Sequence, residues 1–337
     1  MTRIVVLGGA ESGVGAAVLA KVKGFEVFLS DNGKIKEEYL KTLQEWDIPF
    51  EQGGHTPSLV LNADEVVKSP GIPNTAPMVK ALREQGTHII SEIEFAARYD
   101  SARKICITGS NGKTTTTSLI YYLLCEAGLD AGLGGNIGKS YAMQVATEKH
   151  DYYVLEISSF QLDDAYDFRP DIAIITNITP DHLDRYDHKI ENYARSKFRI
   201  TRNLRPEDCF IFDSDDAITI DHLSKIVLKA KMLPFSQEKK NFEQGAWLDD
   251  SRIVVRYEQS ESEIYLRELA LGGRHNIYNS MAAALAAKAS GIEDEVIRNS
   301  LMTFSPIEHR LEPVLSIRDV LYINDSKATN VQSKFTS

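Results

Sequence analysis

Cysteine is scarce in this chain. Cys106, Cys125 and Cys209 are the three in 337 residues, they lie far apart, and no C-x-x-C pair exists. An odd, scattered set argues against a disulfide framework or a cysteine zinc site, and fits reduced thiols in a cytosolic protein. Long apolar runs are also lacking. None approaches the roughly 18 residues a membrane span needs, and the N-terminus enters a strand pattern at Arg3 without a signal peptide. A cytoplasmic chain with no membrane partner is expected. Positive charge is in deficit: 38 Lys and Arg face 48 Asp and Glu, for a net charge of −10. No basic cluster of the kind a duplex-binding face requires is present, so nucleic acid is not an expected partner. Internal repeats and low-complexity segments are missing as well. What remains is a composition of 43% hydrophobic and 26% charged residues, that of a globular protein too long for one ordinary core.

The most informative stretch that is present runs Ile105-Cys-Ile-Thr-Gly-Ser-Asn-Gly-Lys-Thr-Thr-Thr-Thr117. A β-branched apolar segment ends in glycines, then Lys113 and Thr114, then a helix-compatible segment from Ser118 to Ala127. Gly109 and Gly112 permit a tight turn in which backbone N–H groups of Ser110, Asn111 and Thr115 can face an anion at a helix N-terminus. Lys113 is expected to reach terminal phosphates and the Thr114 hydroxyl to meet Mg²⁺. The common spacing G-x-x-x-x-G-K-[ST] fails, because residue 107 is Ile and the glycines are three apart. A particular variant, T-G-S-N-G-K-T-T, remains.

Two other regions have the α/β pattern. In the first, a buried strand pattern from Arg3 to Leu7 leads into Gly8-Gly-Ala-Glu-Ser-Gly-Val-Gly15, a helix start at Ala16, and a second strand, Glu26 to Ser30, closed by Asp31. This imitates a dinucleotide fingerprint. Ala10, however, stands where glycine would admit a pyrophosphate, so a nucleotide-type pocket is expected but NAD is not; a glycine turn without a ligand remains the alternative. Glu65-Val-Val-Lys-Ser-Pro-Gly-Ile-Pro73 reads as a strand and a proline-punctuated turn, and Met78 to Gln85 as a helix. In the second region, Tyr152–Ile157 and Ile172–Ile178 read as buried strands. The first carries Glu156 at its carboxyl end and the second leads into Asp181-His182-Leu-Asp184-Arg185. Ligands of open parallel sheets bind at carboxyl ends, so these motifs are expected on one sheet edge. Asn276 to Ala289 is strongly helical. Leu311–Leu315 and Val320–Asn324 read as short strands.

Taken together, these pieces resemble a family. Thr108-Gly-Ser-Asn-Gly-Lys-Thr-Thr115, Gly134-Gly-Asn-Ile-Gly138, Leu155-Glu-Ile-Ser-Ser-Phe-Gln-Leu162, Asn177-Ile-Thr-Pro-Asp-His-Leu-Asp-Arg-Tyr186, Ala194-Arg-Ser-Lys-Phe-Arg199, Gly273-Arg-His-Asn-Ile-Tyr-Asn279, His309-Arg-Leu-Glu312 and Asn324-Asp-Ser-Lys-Ala-Thr-Asn330 follow one another as in the Mur ligases of peptidoglycan synthesis. The Ser-Ser-Phe-Gln-Leu block and the Lys-Ser-Pro-Gly-Ile turn are similar to the branch that adds D-glutamate to UDP-N-acetylmuramoyl-L-alanine.

The resemblance implies an α/β chain of three parts: a Rossmann-like UDP-substrate domain over 1–96, a central P-loop-type ATPase domain over 97–305, and a stub of a Rossmann-like C-terminal domain over 306–337. It implies an ATP-dependent amide ligase acting through an acyl phosphate, with poor turnover where the third domain is only begun. A monomer is expected, with UDP-N-acetylmuramoyl-L-alanine and D-glutamate as small-molecule partners. ATP and two Mg²⁺ ions are the implied cofactors, with Thr114, Glu156, His182 and a carbamylated Lys197 toward metal. Asn136 would meet substrate and the transferred phosphate, Ser158 and Ser159 the muramoyl-peptide, and Asn276 and Asn279 the adenine. Ser12, Gly13, Asp31 and Asn32 would hold the uridine diphosphate. Arg310, Asp325 and Lys327 resemble interdomain contacts to ATP and D-glutamate. From the residues alone, His182 reads as a structural histidine, Lys197 as a solvated helix lysine, and the two asparagines equally well as helix-start caps. A non-catalytic UDP-muramoyl-peptide- or ATP-binding module and a folylpolyglutamate synthase-like ligase stay open as alternatives.

Overall fold

A computed structural model describes residues 1–305 and the strands Glu312–Ile317 and Val320–Asn324. Arg310, Asp325 and Lys327 lie outside the described residues. In chain order the strands are Arg3–Leu7 (β1), Glu26–Asp31 (β2), Phe50–Gln52 (β3), Glu65–Lys68 (β4), His88–Ser91 (β5), Arg103–Thr108 (β6), Ala131–Gly135 (β7), Tyr152–Glu156 (β8), Ile172–Ile175 (β9), Cys209–Asp213 (β10), Lys231–Ser236 (β11), Gly245–Asp249 (β12), Arg252–Tyr257 (β13), Ser260–Tyr265 (β14), Glu312–Ile317 (β15) and Val320–Asn324 (β16). The chain divides into two compact units. One joins Met1–Arg103 with Gly132–Arg169; the other joins Lys104–Ala131 with the chain from Pro170.

In the first unit, five parallel strands run in the order β3-β2-β1-β4-β5. Ile4, Val5, Val6 and Leu7 are all buried, as a central parallel strand covered on both faces requires. Val5, Leu7, Phe28, Val60, Val66, Val79, Leu82 and Ile89 form one core cluster, and each such side chain contributes about 1.5–3 kcal/mol on burial. Strand order switches direction between β1 and β4, which opens a crevice at their carboxyl ends.

The helix after β1 spans Glu11–Val22, so it begins five residues before the expected start at Ala16. Only Gly8–Ala10 form the turn. Gly13 and Gly15 are helical, and their lack of a side chain serves packing. A Cβ on Gly13 would lie 1.8 Å from the Gly8 carbonyl oxygen, and one on Gly15 would lie 2.1 Å from Ser140 Oγ. The Ser140 contact belongs to a second layer: helix Tyr141–Thr147 packs on Glu11–Val22 and on Glu92–Ala97.

Two buried acids hold this layer. Glu94 accepts backbone N–H groups of Tyr166, Asp167 and Phe168. Glu92 Oε1 accepts from Ser140 Oγ at 2.7 Å and from the Ala142 N–H at 2.6 Å, while its Oε2 is buried without a partner. Burial raises the Glu92 pKa to about 7, against the stabilising pull of the Ala142 N–H and the Ser140 hydroxyl.

In the second unit the order is β14-β13-β12-β11-β10-β9-β6. Pairing is parallel from β6 to β12 and antiparallel through β13 and β14. Helix Arg274–Ala289 has an unbroken buried run from Met281 to Ala287, nearly all alanine, which lets it lie close against helix Lys113–Glu126. β15 and β16 pair antiparallel; β15 begins one residue after the expected Leu311 and runs to Ile317.

Glu92 gives the fold a pH signature. Its folded pKa lies above the ordinary 4.5, so its favourable contribution is complete below that value and is lost as pH rises through about 7. The melting temperature of the wild type relative to Glu92→Gln should therefore fall steadily between pH 4.5 and 7 and level off above; a pH-independent difference would show that Glu92 is ionised throughout.

Candidate nucleotide and substrate sites

The phosphate loop follows β6. Gly109 has φ 147° and Gly112 φ 81°, both in the region that favours glycine. Space enforces the same choice: a Cβ on Gly109 would lie 1.9 Å from Thr176 Oγ1, and one on Gly112 would lie 2.4 Å from Asn279 Oδ1. The helix begins at Lys113, five residues ahead of the expected Ser118. Thr114 and Thr115 therefore occupy its first turn, where N–H groups and the helix dipole favour an anion.

The loop is fastened to the segment after β9. Ser110 N–H donates to the Asn177 carbonyl at 2.9 Å and Asn111 N–H to Asn177 Oδ1 at 3.0 Å. In return Asn177 Nδ2 donates to the Asn111 carbonyl at 3.0 Å, and Thr176 Oγ1 does so at 2.6 Å. Ser110 Oγ donates to the Thr179 carbonyl and accepts from its N–H, each at 2.9 Å. Thr176, Asn177 and Thr179 were not singled out as site residues from the sequence, although their place at a strand's carboxyl end was the available signal.

Two lysines meet at one oxygen. Lys113 Nζ donates to the carbonyls of Gly109 and Ser110, both at 2.9 Å, and Lys197 Nζ donates to the same Gly109 carbonyl at 2.7 Å. Lys197 is 1% exposed and its ammonium stands 4.4 Å from the Tyr193 ring centre. It is not the solvated helix lysine that its surroundings in the sequence suggest. The Tyr193 hydroxyl lies 3.4 Å from Ser110 Oγ, and burial pushes its phenol up to about 12. Two ammonium groups therefore converge on one carbonyl beside a helix N-terminus.

The helix Arg274–Ala289 closes on this loop. Thr116 Oγ1 donates to Asn279 Oδ1 at 3.2 Å, Asn279 Nδ2 to Asn276 Oδ1 at 3.1 Å, and Asn276 Nδ2 to the Gly272 carbonyl at 2.7 Å. Gly273 holds the N-cap position without a side-chain cap, so neither asparagine caps the helix. Tyr278 OH donates to Asp215 Oδ2 at 2.9 Å, which fixes the same helix against the carboxyl ends of β10 and β11. Burial, with Asp215 and Asp216 nearby, raises the Asp213 carboxyl to about 7. His182 precedes the turn Leu183–Arg185 with a left-handed backbone, φ 50°. Its N–H donates to Asp181 Oδ1 at 2.9 Å, its ring nitrogen lies 3.7 Å from Asp181 Oδ2, and its side chain is 54% exposed.

The remaining residues belong to the first unit. Glu156, 2% exposed at the end of β8, accepts from Asn136 Nδ2 at 2.8 Å, and the Asn136 N–H donates to the Glu156 carbonyl at 2.8 Å. Gly135 makes this possible, since a Cβ there would lie 2.2 Å from that carbonyl oxygen. Ser158 forms a capping box with Gln161 at the start of helix Ser159–Leu162, and Ser159 is buried. Asp31 Oδ2 accepts from the Gly9 N–H at 2.5 Å and so braces the glycine turn, while its Oδ1 accepts from the Gly33 N–H at 2.6 Å within its own loop. Ser12 is half-buried and Asn32 exposed beside that turn.

Lys113, Thr114, Lys197, Asn276 and Asn279 are thus gathered around one loop, Asn136 with Glu156 in a second place, and Ser12, Gly13, Asp31 and Asn32 around the glycine turn. Among the described residues no group of three or more His, Cys, Asp or Glu side chains is placed to hold a metal ion. No described helix is long and apolar enough to cross a membrane.

Comparison with known proteins decides the family. Residues 107–287 match the Mur ligase middle domain, and residues 4–78 match the MurD N-terminal domain. The chain belongs to the Mur ligase family. It is 58% identical over 335 residues to the UDP-N-acetylmuramoylalanine–D-glutamate ligase of Bacteroides fragilis, covering 99% of this chain and 74% of that ligase. The ligase of the same description from Bacteroides thetaiotaomicron is 56% identical with the same coverage. Among solved structures, a murein peptide ligase from Psychrobacter arcticus matches with a TM-score of 0.62 at 22% identity, over 96% of this chain and 73% of that one. MurF ligase from Thermotoga maritima in complex with ADP matches with a TM-score of 0.57 at 16% identity, over 92% and 70%. These structures share its α/β fold, and the sequence relatives make this chain an ATP-dependent ligase of the Mur family.

The loop geometry makes a sharp prediction. Gly112→Ala would force a side chain onto Asn279 and into a left-handed backbone that alone costs about 1–2 kcal/mol. The variant should melt lower than wild type and lose Mg-ATP binding at least tenfold by calorimetry; unchanged binding would mean that the loop can re-form without that glycine.

Proposed function

We propose that this ligase joins D-glutamate to UDP-N-acetylmuramoyl-L-alanine with hydrolysis of ATP. The observation that carries the reading is the glycine loop at a helix start, on whose Gly109 carbonyl Lys113 and Lys197 converge. The identity to ligases of that description supports the substrate assignment.

Amide formation from a carboxylate needs the carboxylate activated. In this reading the donor carboxylate attacks the γ-phosphate of ATP and releases ADP, and the amine of D-glutamate then attacks the acyl carbon of the acyl phosphate, forming the amide as inorganic phosphate and a proton leave. Phosphoryl transfer depends chiefly on charge neutralisation and position. Lys113 would turn from the loop carbonyls to the β- and γ-phosphates, and the helix N-terminus at Thr114 and Thr115 would hold their oxygens. Asn279, already tied to Thr116, would set the adenosine end of the nucleotide through the rigid helix Arg274–Ala289.

Each unit carries a hard oxygen donor of the kind Mg²⁺ takes: the Thr114 hydroxyl in the second and the Glu156 carboxylate in the first, where Asn136 orients that carboxylate. His182 is a softer donor. Lys197 as an ammonium cannot ligate a cation, but a carbamate on the same nitrogen would present anionic oxygens and keep one N–H for the Gly109 carbonyl. A bound metal would neutralise charge on the transferring phosphoryl group. Asn136, Ser158 and Ser159 would meet the muramoyl end of the donor, and Ser12, Gly13, Asp31 and Asn32 would frame its uridine diphosphate.

Thermal-shift titration tests the reading. Mg-ATP and UDP-N-acetylmuramoyl-L-alanine should each stabilise the chain, by about 2.7 kcal/mol at one hundred times the dissociation constant, while NAD and folate should not. Stabilisation by folate in place of the muramoyl donor would move the assignment to a folylpolyglutamate synthase-like ligase. Lys113→Ala should abolish the ATP response and keep the donor response; an intact ATP response would remove Lys113 from the nucleotide site. For Lys197, a carbamate ¹³C resonance should grow in under ¹³C-bicarbonate in the wild type and be absent from Lys197→Arg. The same spectrum in both would place the modification elsewhere or nowhere.

A further inference from the structure

Lys68 sits at the carboxyl end of β4, beside the switch point of the first sheet, yet its side chain is only 3% exposed. Its ammonium donates to the Ile72 carbonyl at 3.0 Å and pairs with Asp164 Oδ2 at 3.1 Å. Asp164, 2% exposed, takes Arg83 Nη2 on its other oxygen at 2.8 Å, and Arg83 also donates to Asn74 Oδ1 at 3.1 Å. The Asp164 carbonyl accepts from the N–H of Ser91, the last residue of β5. Two chain segments are thereby locked together at one sheet edge. One is the turn Ser69–Pro73, whose Ser69 side chain lies against Gly8 of the glycine turn and Gly13 of the helix that follows it. The other is the short helix Ser159–Leu162, which ends just before Asp164.

A buried ion cluster is a poor device for stability, because desolvation offsets most of the attraction and apolar side chains of similar size do as well. Its distinguishing property is geometric: it fixes two segments in one register. We propose that Lys68, Asp164 and Arg83 are positioning residues for the donor, which join the turn beside the uridine diphosphate to the segment that carries Ser158 and Ser159. This rests on the donor assignment made above. The cluster does not touch the donor. It holds the two halves of the donor's bed at a fixed separation, so that binding one half pre-places the other. Uridine diphosphate alone, which reaches only the glycine turn, should be indifferent to it, since Ser69 keeps its own backbone bond to the Leu7 carbonyl.

The test replaces the buried pair together, because removal of one partner leaves an uncompensated charge. In the full chain, Lys68→Met with Asp164→Leu should weaken UDP-N-acetylmuramoyl-L-alanine at least tenfold by calorimetry, leave UDP within twofold, and leave Mg-ATP unchanged. Parallel loss of all three ligands would reveal general destabilisation and overturn the proposal. Arg83→Met, at a side chain 40% exposed, is the second arm should the double variant fail to fold. It should weaken the full donor severalfold and spare UDP, and equal affinity for the donor in wild type and Arg83→Met would overturn the proposal. Absence of donor binding by the wild type would instead remove the donor assignment and this inference with it.

Discussion

The glycine loop of the second unit is organised around a single peptide carbonyl, that of Gly109. It is bonded by two ammonium groups that would otherwise repel one another, and it can be so placed only because Gly109 takes a backbone conformation closed to other residues, with Thr176 filling the space where a side chain would be. The strand end at Asn177 and Thr179 braces the loop from one side, and Asn279 braces the helix start from the other. The two ammonium groups are thereby held beside the start of helix Lys113–Glu126 by the fold itself.

Much of this was legible in the sequence, and the reasons are local. Gly109, Gly112, Lys113 and Thr114 are adjacent, and their chemistry follows from order alone. The buried strands announced themselves through unbroken apolar, isoleucine-rich runs such as Ile172–Ile175. Lys197 lies 88 residues from the carbonyl it contacts. Nothing in its neighbours separates it from a surface lysine, and only the resemblance pointed to it. Separations of 66 and 69 residues likewise hid Asn177 and Thr179 as partners of the loop.

The glycine-rich segment after β1 misled in an instructive way. Glycine signals a turn because it tolerates positive φ, but it also signals close approach, and periodicity cannot separate the two. Gly8 does have positive φ, whereas Gly13 and Gly15 sit in a regular helix where a neighbour leaves no room for a Cβ. Buried acids were equally invisible. Glu92 and Glu94 carry no mark in the sequence, yet both are inside, because the second layer formed by residues 140–168 offers them backbone N–H groups.

The outer end of the second sheet has a consequence for how this chain behaves while it folds and among its copies. β14 is the edge strand, and an edge offers unpaired backbone groups to any other strand. Its sequence, Ser-Glu-Ser-Glu-Ile-Tyr, turns Ile264 inward and presents Glu261 and Glu263 at the rim, paired with Arg256 and Arg252 on β13. A second β14 laid alongside would bring like charges together. The hairpin thus ends a long sheet and also makes it a poor template for growth, which protects a chain whose parallel strands pair late and stay exposed to aggregation meanwhile.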